Sequence, residues 1–174
     1  MSKKWVGILV AMWIVAAISG VIYFNFAKDV SVQIIANGEI STGEKTKEKV
    51  VIYVPDKNGK SLDKRDEYIE ESQSKRDKAF KVTSKTIEVL QKESFLKSEN
   101  ISVLNIYFSE DTAYIDLSAS AKEMDENSRE NLLNVYSIVN TLTEFGNINR
   151  VKMLVNGKDG NKNLAKFYSR NTGI

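Results

Sequence analysis

Residues Trp5 to Phe26, 22 in all and without a single charge, follow Met1-Ser2-Lys3-Lys4 and restrict this chain more than any other stretch. As an α-helix rising about 1.5 Å per residue, the run reaches roughly 33 Å, enough to cross a hydrocarbon core about 30 Å thick. Its eleven Val, Ile, Leu and Phe residues favour insertion by about 3 to 7 kcal/mol, which outweighs Asn25 at the interface. A cleavable secretory leader is the competing reading, with Lys3 and Lys4 as its basic region and Ala17 and Ser19 as small residues before Gly20. Against cleavage, Val21-Ile22-Tyr23-Phe24 carries the apolar run past that point and would leave aromatic residues exposed at a mature end. A core helix that is apolar all round needs protein on every side, and the rest of the chain is too small to wrap it. The run therefore reads as an uncleaved signal anchor. Lys3, Lys4 and the amino terminus crowd one flank, while Lys28 and Lys45 are the basic residues nearest on the other. That bias predicts a cytoplasmic tail and an extracytoplasmic remainder, or a secreted one if the leader is cleaved.

Residues 27–174 are enough for one domain with its own core. With Lys3 and Lys4 set aside, 23 basic residues balance 23 acidic ones. A nucleic-acid binder would carry a basic excess, so nucleic acid is excluded as a partner. The chain has no histidine and no cysteine. Those absences remove the usual general base near neutral pH, thiol nucleophiles, thiolate zinc sites, disulfides and an N-terminal lipid-bearing Cys.

Along the chain, Val30 to Ile35 reads as a short strand or stalk segment and Asn37 to Lys49 as a polar linker. Lys49 to Val54 is a β-branched strand closed by the turn Pro55-Asp56-Lys57-Asn58-Gly59. Leu62 to Lys78 is almost wholly charged or polar, and the expectation there is a loop or an exposed lead-in to a helix. From Asp77 the spacing is helical, with Ala79, Phe80, Thr83, Ile87 and Leu90 on one face and Val82 and Val89 off it. Val103–Phe108 and Ala113–Leu117 form a hairpin around Ser109-Glu110-Asp111-Thr112. A second helix begins near Ser128, where Asn127 and Glu130 resemble a capping box. On its wheel Leu132, Val135, Tyr136, Val139 and Leu142 face the core, and Asn134, Ser137, Asn140, Thr141 and Glu144 fall mostly opposite. Gly146 supplies the left-handed stop. Arg150 to Val155 is the last strand, with Val151, Met153 and Val155 on one face, Arg150, Lys152 and Leu154 on the other, and an Asn156-Gly157 turn after it.

The expected fold class is α+β: one transmembrane helix, then a split β-α-β-β-α-β domain whose open sheet carries two helices on one face. The expected boundaries are 1–4 cytoplasmic tail, 5–26 anchor, 27–49 linker or stalk, 50–158 folded domain and 159–174 C-terminal tail, the last adding an edge strand or fraying.

Residues 50–158 resemble the GerM domain of sporulation and spore germination proteins. The resemblance rests on Val51-Ile52-Tyr53-Val54-Pro55-Asp56, on Ala113-Tyr114-Ile115-Asp116-Leu117-Ser118, and on the helix around Val139-Asn140-Thr141-Leu142-Thr143-Glu144-Phe145. It rests also on Asn149-Arg150-Val151-Lys152-Met153-Leu154-Val155-Asn156-Gly157-Lys158. Members are often lipoproteins and can carry two such domains, whereas this chain lacks the lipid-accepting Cys and has room for one copy. The resemblance implies an extracytoplasmic module of the bacterial envelope that binds or self-associates rather than catalyses.

Each side chain that looks chemical has a structural alternative. Asp116, between apolar neighbours, could be a functional carboxylate, and the structural expectation is a hydrogen bond from the following turn. Asn156 and Gly157 are turn formers before they are a ligand site. Glu123, Asp125 and Glu126 beside Asn127 look like a weak cation site, yet they precede a helix whose positive end attracts acids. Ser109, Ser118 and Ser120 have no histidine to activate them, and no Ser-x-x-Lys constellation with supporting partners stands out. Asn100-Ile101-Ser102 matches a glycosylation sequon, which matters only in a compartment that glycosylates. No catalytic, cofactor-binding or metal-ligating residue is assigned, and no cofactor is expected. The expected partners are the membrane, crossed once, and envelope proteins or further copies of the chain. The alternatives are an envelope module that binds a glycan or peptide, and an enzyme working through carboxylate or Ser/Lys chemistry.

Overall fold

The computed structural model describes residues 46–174. The anchor expected at 5–26, the segment Val30–Ile35 and most of the expected linker lie outside the described residues. Among those described, no helix is long and apolar enough to cross a membrane.

The first strand, β1 (Lys47–Pro55), begins inside the expected linker. Its partner is β2 (Leu62–Glu70), paired antiparallel from Lys47↔Glu70 to Pro55↔Leu62. This corrects the loop or helical lead-in expected there. The inward side chains of β2 do alternate, Arg65, Glu67 and Ile69, but two of the three are charged and satisfy themselves on the neighbouring helix. Arg65 pairs with Glu93, and Lys85 lies 3.9 Å from Glu67. The turn between the strands is the expected one. Gly59 takes φ 62°, and Asp56 Oδ1 accepts the amides of Lys60 (2.6 Å) and Ser61 (3.1 Å).

Helix α1 (Lys75–Lys92) is capped by Ser74, whose hydroxyl accepts from the Asp77 amide at 3.1 Å while the Asp77 carboxylate accepts from Gln73 N at 2.9 Å. Its buried face includes Val82 and Val89, and Phe80 is exposed, so the helix is rotated from the expected stripe. The hairpin β3 (Val103–Ser109) and β4 (Thr112–Leu117) forms as expected, with a register shift between Val103 and Asn105. A short 3-10 helix, Ala119–Asp125, and α2 (Arg129–Leu142) then carry the chain to β5 (Arg150–Val155), parallel to β4. Parallel neighbours require such a crossover.

The cap of α2 is Ser128 rather than Asn127, its hydroxyl accepting from Asn131 N at 3.1 Å. The helix ends at Leu142 with Thr143 right-handed, and Gly146 is not left-handed. At Asn156 (φ 50°) and Gly157 (φ 71°) both turn residues are left-handed, as a tight hairpin turn demands, and β6 (Lys158–Asp159) folds back on β5. A last strand, β7 (Phe167–Tyr168), also pairs with β5. The single open sheet expected is thus two sheets, the β1–β2 hairpin and a five-stranded sheet of β3 to β7. Both helices pack on β1, and α1 and α2 also reach β3 and β5 respectively.

Helix α2 is buried nearly all round. Asn134, Ser137, Asn140 and Thr141, expected to face outward, are as buried as Val135 and Ile138. Thr141 Oγ1 accepts the Tyr53 amide of β1 at 2.9 Å. Asn140 exchanges two hydrogen bonds with the Asn171 backbone, at 2.6 and 2.9 Å. The tail beyond residue 158 folds onto the domain, with Leu164 and Tyr168 in the core. Lys152, expected on the strand face opposite Val151 and Met153, is 4% exposed and donates to the carbonyls of Leu164 (3.0 Å) and Ala165 (2.7 Å). It sits in a cross-strand row, Tyr107, Tyr114, Lys152, Phe167, on the sheet's outer face. Within that row Tyr114 meets Phe167 edge-on at 6.1 Å.

Candidate functional site

The side chains that looked chemical in sequence are spread over the domain, and Asp116, Ser118, Glu123 and Asp125 hold backbone. Asp116 Oδ1 accepts from Gly157 N at 2.7 Å, so it fixes the turn after the neighbouring strand rather than the turn that follows its own. Ser118 accepts from Ser102 N (3.1 Å) and donates to Asn100 O (2.9 Å), clamping the sequon segment to the end of β4. The three acids near the 3-10 helix diverge onto different partners. Glu123 accepts the amides of Lys97 (3.0 Å) and Ser98 (2.9 Å), and Glu126 pairs with Lys162 at 2.5 Å. Asp125 accepts from Asn161 N (2.7 Å), Lys162 N (2.9 Å) and Leu164 N (2.8 Å). Burial pushes its carboxyl up, but those amides prevail and hold it below the ordinary carboxylate value. The loop closes so tightly that a Cβ on Gly160 would stand 2.6 Å from Leu164 Cβ and 2.8 Å from Asp125 Oδ1.

A second charged cluster was not singled out in the sequence. Glu144, just past α2, accepts from Arg170 Nη2 at 2.5 Å and from the Tyr53 hydroxyl, with Lys64 Nζ 3.3 Å away. Arg170 first, then Tyr53 and Lys64, outweigh burial and pull the Glu144 carboxyl down to about 2. These residues tie β1, β2, α2 and the tail together.

Among the clefts on the described residues, one of about 460 Å³ lies at one end of the helices. Pro55 and Gly59 contribute one wall from the β1–β2 turn, and Phe95 and Lys97 another from the α1–β3 connection. Glu123 and Glu126 close the third side, and Glu130, Asn131, Leu133 and Asn134 rise from the first turns of α2. The walls are held in place before anything binds. Arg129 donates to Gly59 O (3.1 Å) and Lys60 O (2.6 Å), while Asn131 Nδ2 reaches Glu123 O at 2.7 Å and Glu126 O at 3.2 Å.

Asn134, 1% exposed, lines this cleft. Its amide nitrogen donates to Phe95 O at 2.8 Å, but its Oδ1 has no partner. A buried acceptor left unpaired is costly, and this atom is itself closed off from the cleft. Thr83 Oγ1 is similarly unpaired but does not line the cleft. The signal for Asn134 was present in the sequence. From Asn131 to Thr143 there is no charge at all, whereas a solvent-facing helix side ordinarily carries charges.

Two sheets and two helices, with a preformed polar-rimmed cleft at one end, define a small α+β domain, and the comparisons with known proteins agree on the fold. The chain belongs to the Germane family, described as sporulation and spore germination, whose model matches residues 51–161. Among solved structures it is similar to the tandem GerMN domains of the sporulation protein GerM from Bacillus subtilis, at 20% identity and TM-score 0.54. That match covers 79% of this chain and 50% of the other, so this chain spans half the tandem protein's length. The first GerMN domain of the same protein is 23% identical, with TM-score 0.45, covering 64% of this chain and 84% of that one. A candidate lipoprotein from Clostridium perfringens is 16% identical, with TM-score 0.43, over 75% of this chain and 93% of that one. No curated protein matches the chain.

Proposed function

We propose that the chain is a membrane-anchored, extracytoplasmic Germane-family protein of the bacterial envelope, acting by protein contact and not by catalysis, in sporulation, germination or wall-related assembly. The uncharged run Trp5–Phe26 supports the anchor, and family membership supports the setting. The observation that carries the contact role is the cleft over Asn134, preformed and walled by Pro55, Phe95 and Leu133. Asp116, Glu123, Asp125 and the Ser118 hydroxyl, which could have served chemistry, are engaged with backbone groups, and Glu126 with the Lys162 side chain. The same cleft also favours a second reading, an envelope module that binds a glycan or peptide.

The test is made in intact cells. Protease added to spheroplasts should digest residues 27–174, the full chain should fractionate with membranes, and crosslinking should trap it with envelope proteins or with itself. Recovery of the intact chain as a soluble, protease-protected cytosolic species would refute the reading.

A further inference from the structure

Asn-Gly pairs occur among the described residues at Asn58-Gly59 and at Asn156-Gly157. An asparagine followed by glycine is open to spontaneous deamidation, because no side chain hinders the glycine nitrogen. Once that nitrogen has lost its proton to solvent, it bonds to the asparagine Cγ. The Cγ–Nδ2 bond breaks, ammonia leaves, and water opens the resulting succinimide to aspartate or isoaspartate. Asn156 and Gly157 are both exposed, and nothing stands within 4 Å of the place a Cβ would take on Gly157. Crowding therefore does not protect the pair. Hydrogen bonds fasten it instead, for Gly157 N donates to Asp116 Oδ1 at 2.7 Å and Asn156 N to Leu117 O at 2.9 Å. At the other pair the Gly59 amide donates to a neutral group, the Asp56 carbonyl, at 2.9 Å.

We propose that Asn156-Gly157 is a latent deamidation site and that Asp116 is the residue that keeps it closed. Two effects act together. The proton that must leave sits in a hydrogen bond to a carboxylate, and its loss would set a negative nitrogen against a negative oxygen. The left-handed backbone of Asn156, φ 50°, goes with a ψ of about +47°, which turns Cβ away from the Gly157 nitrogen, so the ring closes only after the turn has opened. The Asp116 bond opposes that opening. The consequence of deamidation reaches past the turn, because isoaspartate at position 156 lengthens the backbone by one carbon, which a two-residue hairpin turn cannot absorb. Strand β6 then detaches from β5, and Asp159 leaves the buried Lys152 ammonium that it meets at 3.1 Å. The inference stands apart from the contact reading above and gives Asp116 a protective role, not a catalytic one.

The test incubates the full chain in detergent micelles at mildly alkaline pH, well below its melting temperature, and follows positions 58 and 156 by peptide mapping that separates asparagine, aspartate and isoaspartate. In the folded parent, position 156 should convert at least about tenfold more slowly than in concentrated urea. Asp116→Ala should raise the folded rate at position 156 about tenfold, the loss of a hydrogen bond to a charged group, and leave position 58 unchanged. Asp116→Asn, which offers a neutral acceptor in the same place, should also convert faster than the parent. In urea the three chains should agree. An unchanged rate at position 156 in Asp116→Ala, an Asp116→Asn chain as slow as the parent, or differences that persist in urea would each overturn the proposal. An equal rise at positions 58 and 156 would reveal general loosening of the domain and overturn it as well.

Discussion

Asp116 illustrates how a residue that looks catalytic is spent on architecture. Its carboxylate receives the Gly157 amide across the β4–β5 boundary and so holds a turn in which two successive residues are left-handed. Asp116→Ala should cost about 1 kcal/mol, lowering the melting temperature by a few degrees while leaving envelope function intact. Loss of function in a stably folded variant would instead make it a working carboxylate. Glu144 gives a pH prediction. Its folded value of about 2 lies below the ordinary 4.5, so its stabilisation is fully present above about 4.5 and is lost as the pH falls toward 2. Glu144→Gln should lower stability at neutral pH and flatten the acid dependence between those values, as seen by thermal melts across that window. A variant whose acid profile matches the parent's would exclude the cluster as the cause.

At the scale of elements, what the sequence made legible followed from how each segment satisfies itself. The β1 strand, the β3–β4 hairpin and the Asn156-Gly157 turn obey local rules, alternation and left-handed residues, and all three stand where expected. Strand β2 escaped because its inward positions Arg65 and Glu67 are charged, and only the nearby Glu93 and Lys85 make them bearable. On α2, the stripe Asn134–Ser137–Thr141 reads as solvated by its polarity, yet it docks against the α1–β3 connection and β1. The C-terminal segment reads as a tail because its apolar residues are few. Lys152 is one of the ties that hold it, and Lys152→Met should leave the Leu164 and Ala165 carbonyls unpaired at a cost of about 1–3 kcal/mol. Faster amide exchange around residues 160–170, with β4 unchanged, would verify this; uniform exchange would refute it.

For the whole molecule, the described residues 46–174 belong to one compact unit. Expressed alone they should fold and melt cooperatively without detergent, whereas the same unit cut after Asp159 should lose the Leu164 and Tyr168 packing and the Arg170 and Asn171 ties. Coincident melting of the two lengths would show that the tail is dispensable. What the sequence determined by itself was whatever depends on local composition and period. That includes the uncharged run long enough for a bilayer, the α+β order, the turns and the exclusion of thiol and imidazole chemistry. The tertiary structure alone decided the second sheet, the burial of α2 on its polar side and the cleft over Asn134. Those depend on which distant groups meet, since a charge or amide is tolerated inside only when a partner far away in sequence satisfies it.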